Sequence, residues 1–258
     1  MIEYELSGNA ARVTLNRPEK LNALDYEAWR DFREYLDRGA EEARVVVLEG
    51  EGDAFCAGDD INELADLETA DDYEEHGMLA STIYRIEKTG VPVIAAVDGI
   101  AYGAGFEIVG ACDLAVATPD SSFAWPEPRI GGYSPFAAER MEVLATRKRV
   151  MELSLLGEPI DAETALDWGL VNRVVDESDL EPTVEEFVRL VSLSPKRSIR
   201  TAKEYANDRI GDGREEQRMT TSLSQLYRSE TSQEGLRAFL EDREPNFRSG
   251  ADDRGPDD

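Results

Sequence analysis

A chain of 258 residues is long enough to bury a full core, so disulfide-stapled and other small-scaffold classes are excluded. Hydrophobic residues make up 41% of it, but no apolar run approaches the roughly 20 residues needed to cross a bilayer. Fifty-five acidic residues against 28 basic ones give a net charge of −27, which repels nucleic acid and anionic membranes.

Met1-Ile2-Glu3-Tyr4-Glu5 lacks the basic and apolar regions of a signal peptide, so the expected location is the cytoplasm. Cys56 and Cys112 are too few for a disulfide framework and lack metal-ligand spacing, so they are expected to be reduced core residues and no metal site is expected. The acids fall in scattered clusters such as Glu41-Glu42, Asp71-Asp72, Glu74-Glu75 and Glu215-Glu216. That distribution suits a chain adapted to molar salt, where self-repulsion is screened.

In chain order, residues 2–6 and 12–15 predict a strand pair, 26–36 an amphipathic helix, and 44–49 a short buried strand bounded by Gly50 and Gly52. A helical pattern runs from about 72 to 88 and is followed by buried strands at 91–97 and 114–118. Strands alternating with helices predict an α/β fold with a largely parallel sheet. From 148 onward helices predominate, at 148–156, 161–168, 181–192, 195–207, 214–228 and 232–241. Residues 246–258, with four Asp, two Gly and a Pro, are expected to be a disordered acidic tail.

Hydrolases built on Ser-His-Asp or Cys-His need an imidazole; the lone histidine, His76, sits in a polar helical stretch, and there is no Gly-x-Ser-x-Gly elbow. A dinucleotide fingerprint fails because Ile108 stands where its third glycine belongs. Two Gly-rich turns remain, 52–61 and 103–107, each after a buried strand and each opening a helix. Small residues there let backbone N–H groups approach a ligand atom, beside the positive end of a helix dipole. Facing one point, the turns would form an oxyanion hole; taken singly, each is equally a tight strand-to-helix connection.

Five motifs in order carry a resemblance. They are Asn16-Arg17-Pro18-Glu19-Lys20-Leu21-Asn22-Ala23-Leu24, Phe55-Cys56-Ala57-Gly58-Asp59-Asp60-Ile61, residues 99–107 running on to Cys112-Asp113, Phe123-Ala124-Trp125-Pro126-Glu127, and residues 234–243. With them the chain resembles the crotonase (enoyl-CoA hydratase/isomerase) superfamily along nearly its whole length.

The resemblance implies an α/β core spanning 1–195, a crotonase-like spiral of ββα units, and a helical C-terminal trimerisation region at 196–245. It also implies a homotrimer or a hexamer of paired trimers, and an acyl-CoA substrate, with coenzyme A part of that substrate and no separate cofactor. The thioester oxygen would sit between the backbone N–H groups of Ala57 and Ala104. Residues Ala57, Gly58, Asp59 and Asp60 would lie along the CoA with Ala23 and Gly105, while Arg17 and Lys20 would offset the acidic charge.

Glu107 and Glu127 match the two glutamates of the superfamily's hydratases. Adding water across a 2,3-enoyl thioester requires one group to activate water for attack at C3 and another to protonate C2, with enolate charge held in the hole. By analogy Glu107 activates water and Glu127 supplies the proton. The segment 128–140 departs from the hydratase pattern, Ala104 replaces the more usual glycine, and Phe106 and Trp125 place bulky rings beside both acids. Hydration of 2-enoyl-CoA, as in fatty-acid breakdown, is thus expected. Isomerisation, thioester hydrolysis and ring cleavage are the alternatives within the superfamily, and an inactive acyl-CoA-binding or assembly module is the alternative outside it.

Overall fold

The computed structural model describes residues 1–134, 136, 140, 145–207, 217, 220, 221 and 227–247. Strands β1 (Ile2–Ser7) and β2 (Ala10–Leu15) form an antiparallel hairpin. Parallel to β2 run β3 (Val45–Gly50), β5 (Val93–Val97), β7 (Leu114–Ala117) and β10 (Arg173–Val174), giving the order β1-β2-β3-β5-β7-β10. Val45, Val46, Val47 and Leu48 are all buried, as an apolar run in a parallel sheet covered on both faces must be.

A second sheet, β4-β6-β8-β9, is built from β4 (Ala54–Cys56), β6 (Ile100–Tyr102), β8 (Ser122–Ala124) and β9 (Ile160–Asp161). Consecutive strands alternate between the sheets: β3 leads to β4, β5 to β6 and β7 to β8. The first two pairs run on into helices α2 (Ile61–Asp66) and α5 (Ala104–Ala111). This is the expected ββα spiral. The three-residue strands escaped sequence reading because they are too short for a period and lie inside Gly-rich segments.

Helix α1 is Tyr26–Glu42, longer than expected; Asp25 caps it by accepting from Ala28 N–H, and Ala28, Trp29, Phe32, Leu36 and Gly39 form its buried stripe. The stretch predicted as one helix over 72–88 is two, α3 (Ala70–Ala80) and α4 (Thr82–Lys88), broken at Ser81, whose hydroxyl bonds back to Met78 O at 2.6 Å. Later helices are α6 (Arg147–Leu156), α7 (Ala162–Trp168), α8 (Glu177–Ser192), α9 (Lys196–Asn207) and α10 (Glu230–Leu240).

Helix α9 is tied to the core by Lys203, whose buried ammonium bonds Ile86 O, Thr89 Oγ1, Val91 O and Asp113 Oδ2 at 2.6–3.1 Å. Helix α10 packs on α2 and on the 3-10 turn Glu127–Ile130. The predicted helix 214–228 lies largely outside the described residues, as does the tail beyond 247. Among the described residues no helix is long and apolar enough to cross a membrane, and no three His, Cys, Asp or Glu side chains group to hold a metal.

Candidate active site

Because β4, β6 and β8 are adjacent and parallel, their carboxyl ends open at one edge, and each runs directly into one of the segments singled out above. Gly103 N–H donates to Ala124 O at 2.9 Å, which fixes the turn after β6 against the end of β8. The two Gly-rich turns face each other: a Cβ on Gly58 would stand 3.3 Å from Ala104 N and 3.0 Å from Tyr102 O, and Gly58 has a φ of +100°. Gly105 is needed for a different reason, since a Cβ there would lie 2.3 Å from Cys56 O, inside the contact between α5 and β4.

Ala104 is the first residue of α5, so its N–H is one of the helix-start donors with no intrahelical acceptor. Its φ is not positive, so its methyl carries no left-handed backbone strain. Ala57 is a correction. Its N–H donates to Leu21 O at 2.9 Å and is not available to a ligand.

The reason is a parallel bridge between Leu24 and Asp59, in which Leu24 N–H bonds Gly58 O and Asp60 N–H bonds Leu24 O. In that pattern the N–H of the bridged residue itself points the other way. Asp59 N–H, two residues beyond the expected position, is therefore the donor that this turn directs away from the Leu24 strand. The same bridge lays residues 21–24, with half-buried Ala23, alongside 57–60.

Asp60 caps α2, accepting from Asn62 N–H at 3.0 Å, and pairs with Arg17 at 3.0 Å. Burial acts to raise its carboxyl, but the hydrogen bonds from Asn62 and the Arg17 charge hold it below the usual range. Arg17 is spent on Asp25 and Asp60, both at 3.0 Å, and so does not offer the free charge expected of it; Lys20 is exposed.

Glu107 lies in the first turn of α5 and is buried; Oε1 accepts from Ser134 Oγ and, at 3.1 Å, from Phe136 N–H. Glu127 follows β8, its Oε1 3.2 Å from where a Gly103 Cβ would stand, at the start of the second turn. Its Oε2 is shut from solvent without a hydrogen-bond partner. Burial lifts this carboxyl well above the ordinary carboxylate range, with the charge of Glu107, and less that of Asp59, acting in the same direction. Phe106 and Trp125 stack at 4.7 Å and are fully buried behind the acids, as core residues.

Two side chains, Ser134 and Tyr227, were missed as site residues, and two more, Asp59 and His76, were named without the contacts they make. Ser134, in the segment noted only as a departure, holds Glu107. The Asp59 carboxylate accepts from Trp29 Nε1 at 2.7 Å. His76, in its polar helical stretch, is turned inward: 3% exposed, it faces Asp59 from α3. Tyr227 is buried, its phenol pushed far up by burial and then by the charges of Asp59, Glu127 and Glu107. The resemblance had singled out Asp59 as lying along the CoA and the lone histidine had drawn attention to His76, but nothing local marks Ser134 or Tyr227.

Strands of two sheets that hand a pair of facing backbone turns and two buried acids to one edge define a crotonase-type enzyme. The chain belongs to the enoyl-CoA hydratase/isomerase family, whose model matches residues 5–250. It is 33% identical over 254 residues to enoyl-CoA hydratase domain-containing protein 3, mitochondrial, of Danio rerio, covering 96% of this chain and 88% of the relative. With the short-chain-enoyl-CoA hydratase of Clostridium acetobutylicum it shares 32% identity over 79% of each chain. The structure of EchA1_1 from Mycobacterium paratuberculosis superposes with a TM-score of 0.85 at 32% identity, covering 96% of this chain and 98% of that one.

Proposed function

We propose that the enzyme adds water across the double bond of a 2-enoyl-CoA, giving a 3-hydroxyacyl-CoA. One observation carries the reading: Glu107 and Glu127 are both brought to the strand ends, where burial and then the charge of Glu107 push the Glu127 carboxyl well above the ordinary carboxylate range, in the direction of the neutral acid. A neutral carboxylic acid is what protonation of C2 requires, while Glu107, held by Ser134 and Phe136, is placed to take the proton from water.

Water oxygen bonds to C3 as its proton passes to Glu107, and the double bond's electrons move onto the thioester oxygen. That oxygen lies between the N–H groups of Asp59 and Ala104. The enolate then collapses, C2 takes the proton of Glu127, and exchange with solvent returns both acids to their starting states. The loops 57–60 and 21–24, including Ala23, Gly58 and Asp60, would carry the CoA arm, with Gly105 setting the close approach of α5.

Exposed Tyr205 and Phe239 on the C-terminal helical region, with Leu193 just before it, are the surface on which a trimer, or a hexamer of two trimers, would close. Two unbridged thiols, Cys56 and Cys112, suit a cytoplasmic enzyme. Incubation with crotonyl-CoA tests the reading: the product should gain the mass of one water. An unchanged mass with a moved double bond would make the enzyme an isomerase, and release of free CoA would make it a thioesterase.

A further inference from the structure

The stretch of chain that leaves Glu127 returns to supply donors to the other acid. Ser134 Oγ donates to Glu107 Oε1, and Phe136 N–H donates to the same oxygen at 3.1 Å. Both residues are buried, and the Phe136 ring packs on Tyr84 of α4 with centroids 5.4 Å apart, so these donors are held in place. Glu127 is treated in the opposite way, because its buried Oε2 meets no donor.

Donors on a carboxylate favour its ionised form, whereas burial without a donor favours the neutral acid. The titratable groups gathered with Glu107 are Glu127, Asp59, Tyr133 and Tyr227, and as acids none of them favours a second negative charge. Cys56 of β4, its thiol pushed up to about 12 by burial, stays neutral. On α4, which packs on α5, Arg85 and Glu87 are paired with Asp37 and Arg140, and Lys88 is exposed. Phe136 contributes a backbone N–H that any residue but proline would offer. The Ser134 hydroxyl is the donor that depends on the side chain, and it can also turn to accept once Glu107 has taken a proton.

We propose that Ser134 is the positioning residue that divides the two carboxyls into base and acid, its hydroxyl holding Glu107 as the ionised partner and leaving the proton on Glu127. The proposal rests on the hydration reading above and concerns how that same site is set.

The test records kcat and kcat/KM for crotonyl-CoA against pH in the wild type, Ser134→Ala and Ser134→Thr. In Ser134→Ala kcat should fall roughly tenfold or more with acyl-CoA affinity kept, as expected for loss of a hydrogen bond to a charged group. The acid limb of the kcat/KM profile, set by ionisation of Glu107, should move up by about one pH unit. The alkaline limb should stay, because Glu107 is ionised on both sides of it. Ser134→Thr keeps the hydroxyl and should keep the limb and most of the rate. An unmoved acid limb in Ser134→Ala, which a merely structural role would give, overturns the proposal, as does Ser134→Thr behaving like Ser134→Ala. Should Ser134→Ala not fold, Ser134→Cys, close in size and a weaker donor, should move the acid limb in the same direction, and an unmoved limb there overturns the proposal equally.

Isotope-edited NMR of the glutamate carboxyls, assigned with Glu107→Gln, reads the same titration without turnover. If no enoyl-CoA is hydrated, the hydratase reading fails by itself. Titration of Glu107 at higher pH in Ser134→Ala would then still uphold the role of Ser134, and an unmoved titration would overturn it.

Discussion

The two Gly-rich turns look alike in sequence but supply their donors differently. After β6 the chain enters α5 at once, and the free N–H of Ala104 follows from helix geometry, since the first residues of any helix lack acceptors. After β4 the chain first pairs with Leu24, and in a parallel bridge the backbone N–H groups alternate in direction. Ala57 is used up on Leu21 and Asp59 is set free. A donor at a helix start can be read from local sequence, whereas a donor at a bridge depends on a partner strand some 35 residues away in the chain, whose register only the fold reveals.

The comparison breaks most severely through Gly105. Val at this position would drive a side chain into Cys56 O, and the expected outcome is loss of the folded protein, read as absence of a cooperative melt. Gly58→Val, whose neighbour atoms are farther away at 3.0 Å, strains a left-handed residue and crowds Ala104 N–H. It should fold, with a lowered Tm, and be nearly inactive. Two folded, active proteins would show that both turns are simple connectors.

A sharper cut replaces single backbone amides by esters. At Asp59 this removes the proposed donor, and kcat should fall by roughly 10²- to 10³-fold. At Ala57 the same change should cost about 1 kcal/mol of stability through the Leu21 bond and leave the hole intact. Equal kinetic losses at both positions would restore Ala57 to the hole.

Smaller effects concern charge. The raised Glu127 carboxyl binds its proton more tightly folded than unfolded, so the fold is penalised as pH rises above the unfolded value near 4.5. Glu127→Gln, which has no proton to lose, should therefore gain roughly 1 kcal/mol or more at pH 7, and that gain should vanish below about pH 4.5. Denaturant unfolding at both pH values reads it, and a pH-independent difference would contradict the buried-acid account. Last, with a net charge of −27, Tm should rise as KCl goes from about 0.1 to 1 M and the screening length contracts from roughly 10 to 3 Å. A flat or falling Tm would remove the molar-salt adaptation.

Much of the frame was legible, because β3, β5 and β7 are apolar runs bounded by turn residues and α1 has a clear stripe. The positions of Glu107 and Glu127 were legible because short motifs carry them, three residues past Ala104 and directly after Pro126. What assembles across the chain was not. Ser134 reaches Glu107 over 27 residues, and Tyr227 arrives from the C-terminal region to meet His76. Arg17 read as a free cation because nothing local shows that Asp25 and Asp60 converge on it.

The most direct measurement is the crotonyl-CoA hydration rate of Glu107→Gln, Glu127→Gln and the double variant, each with its acyl-CoA affinity. If both acids serve one transition state, each single change lowers kcat by at least roughly 10²-fold while binding survives, and the double variant is little worse than the poorer single one. A nearly active Glu107→Gln beside a dead Glu127→Gln would contradict the two-acid hydration and leave a one-acid enolate chemistry in its place.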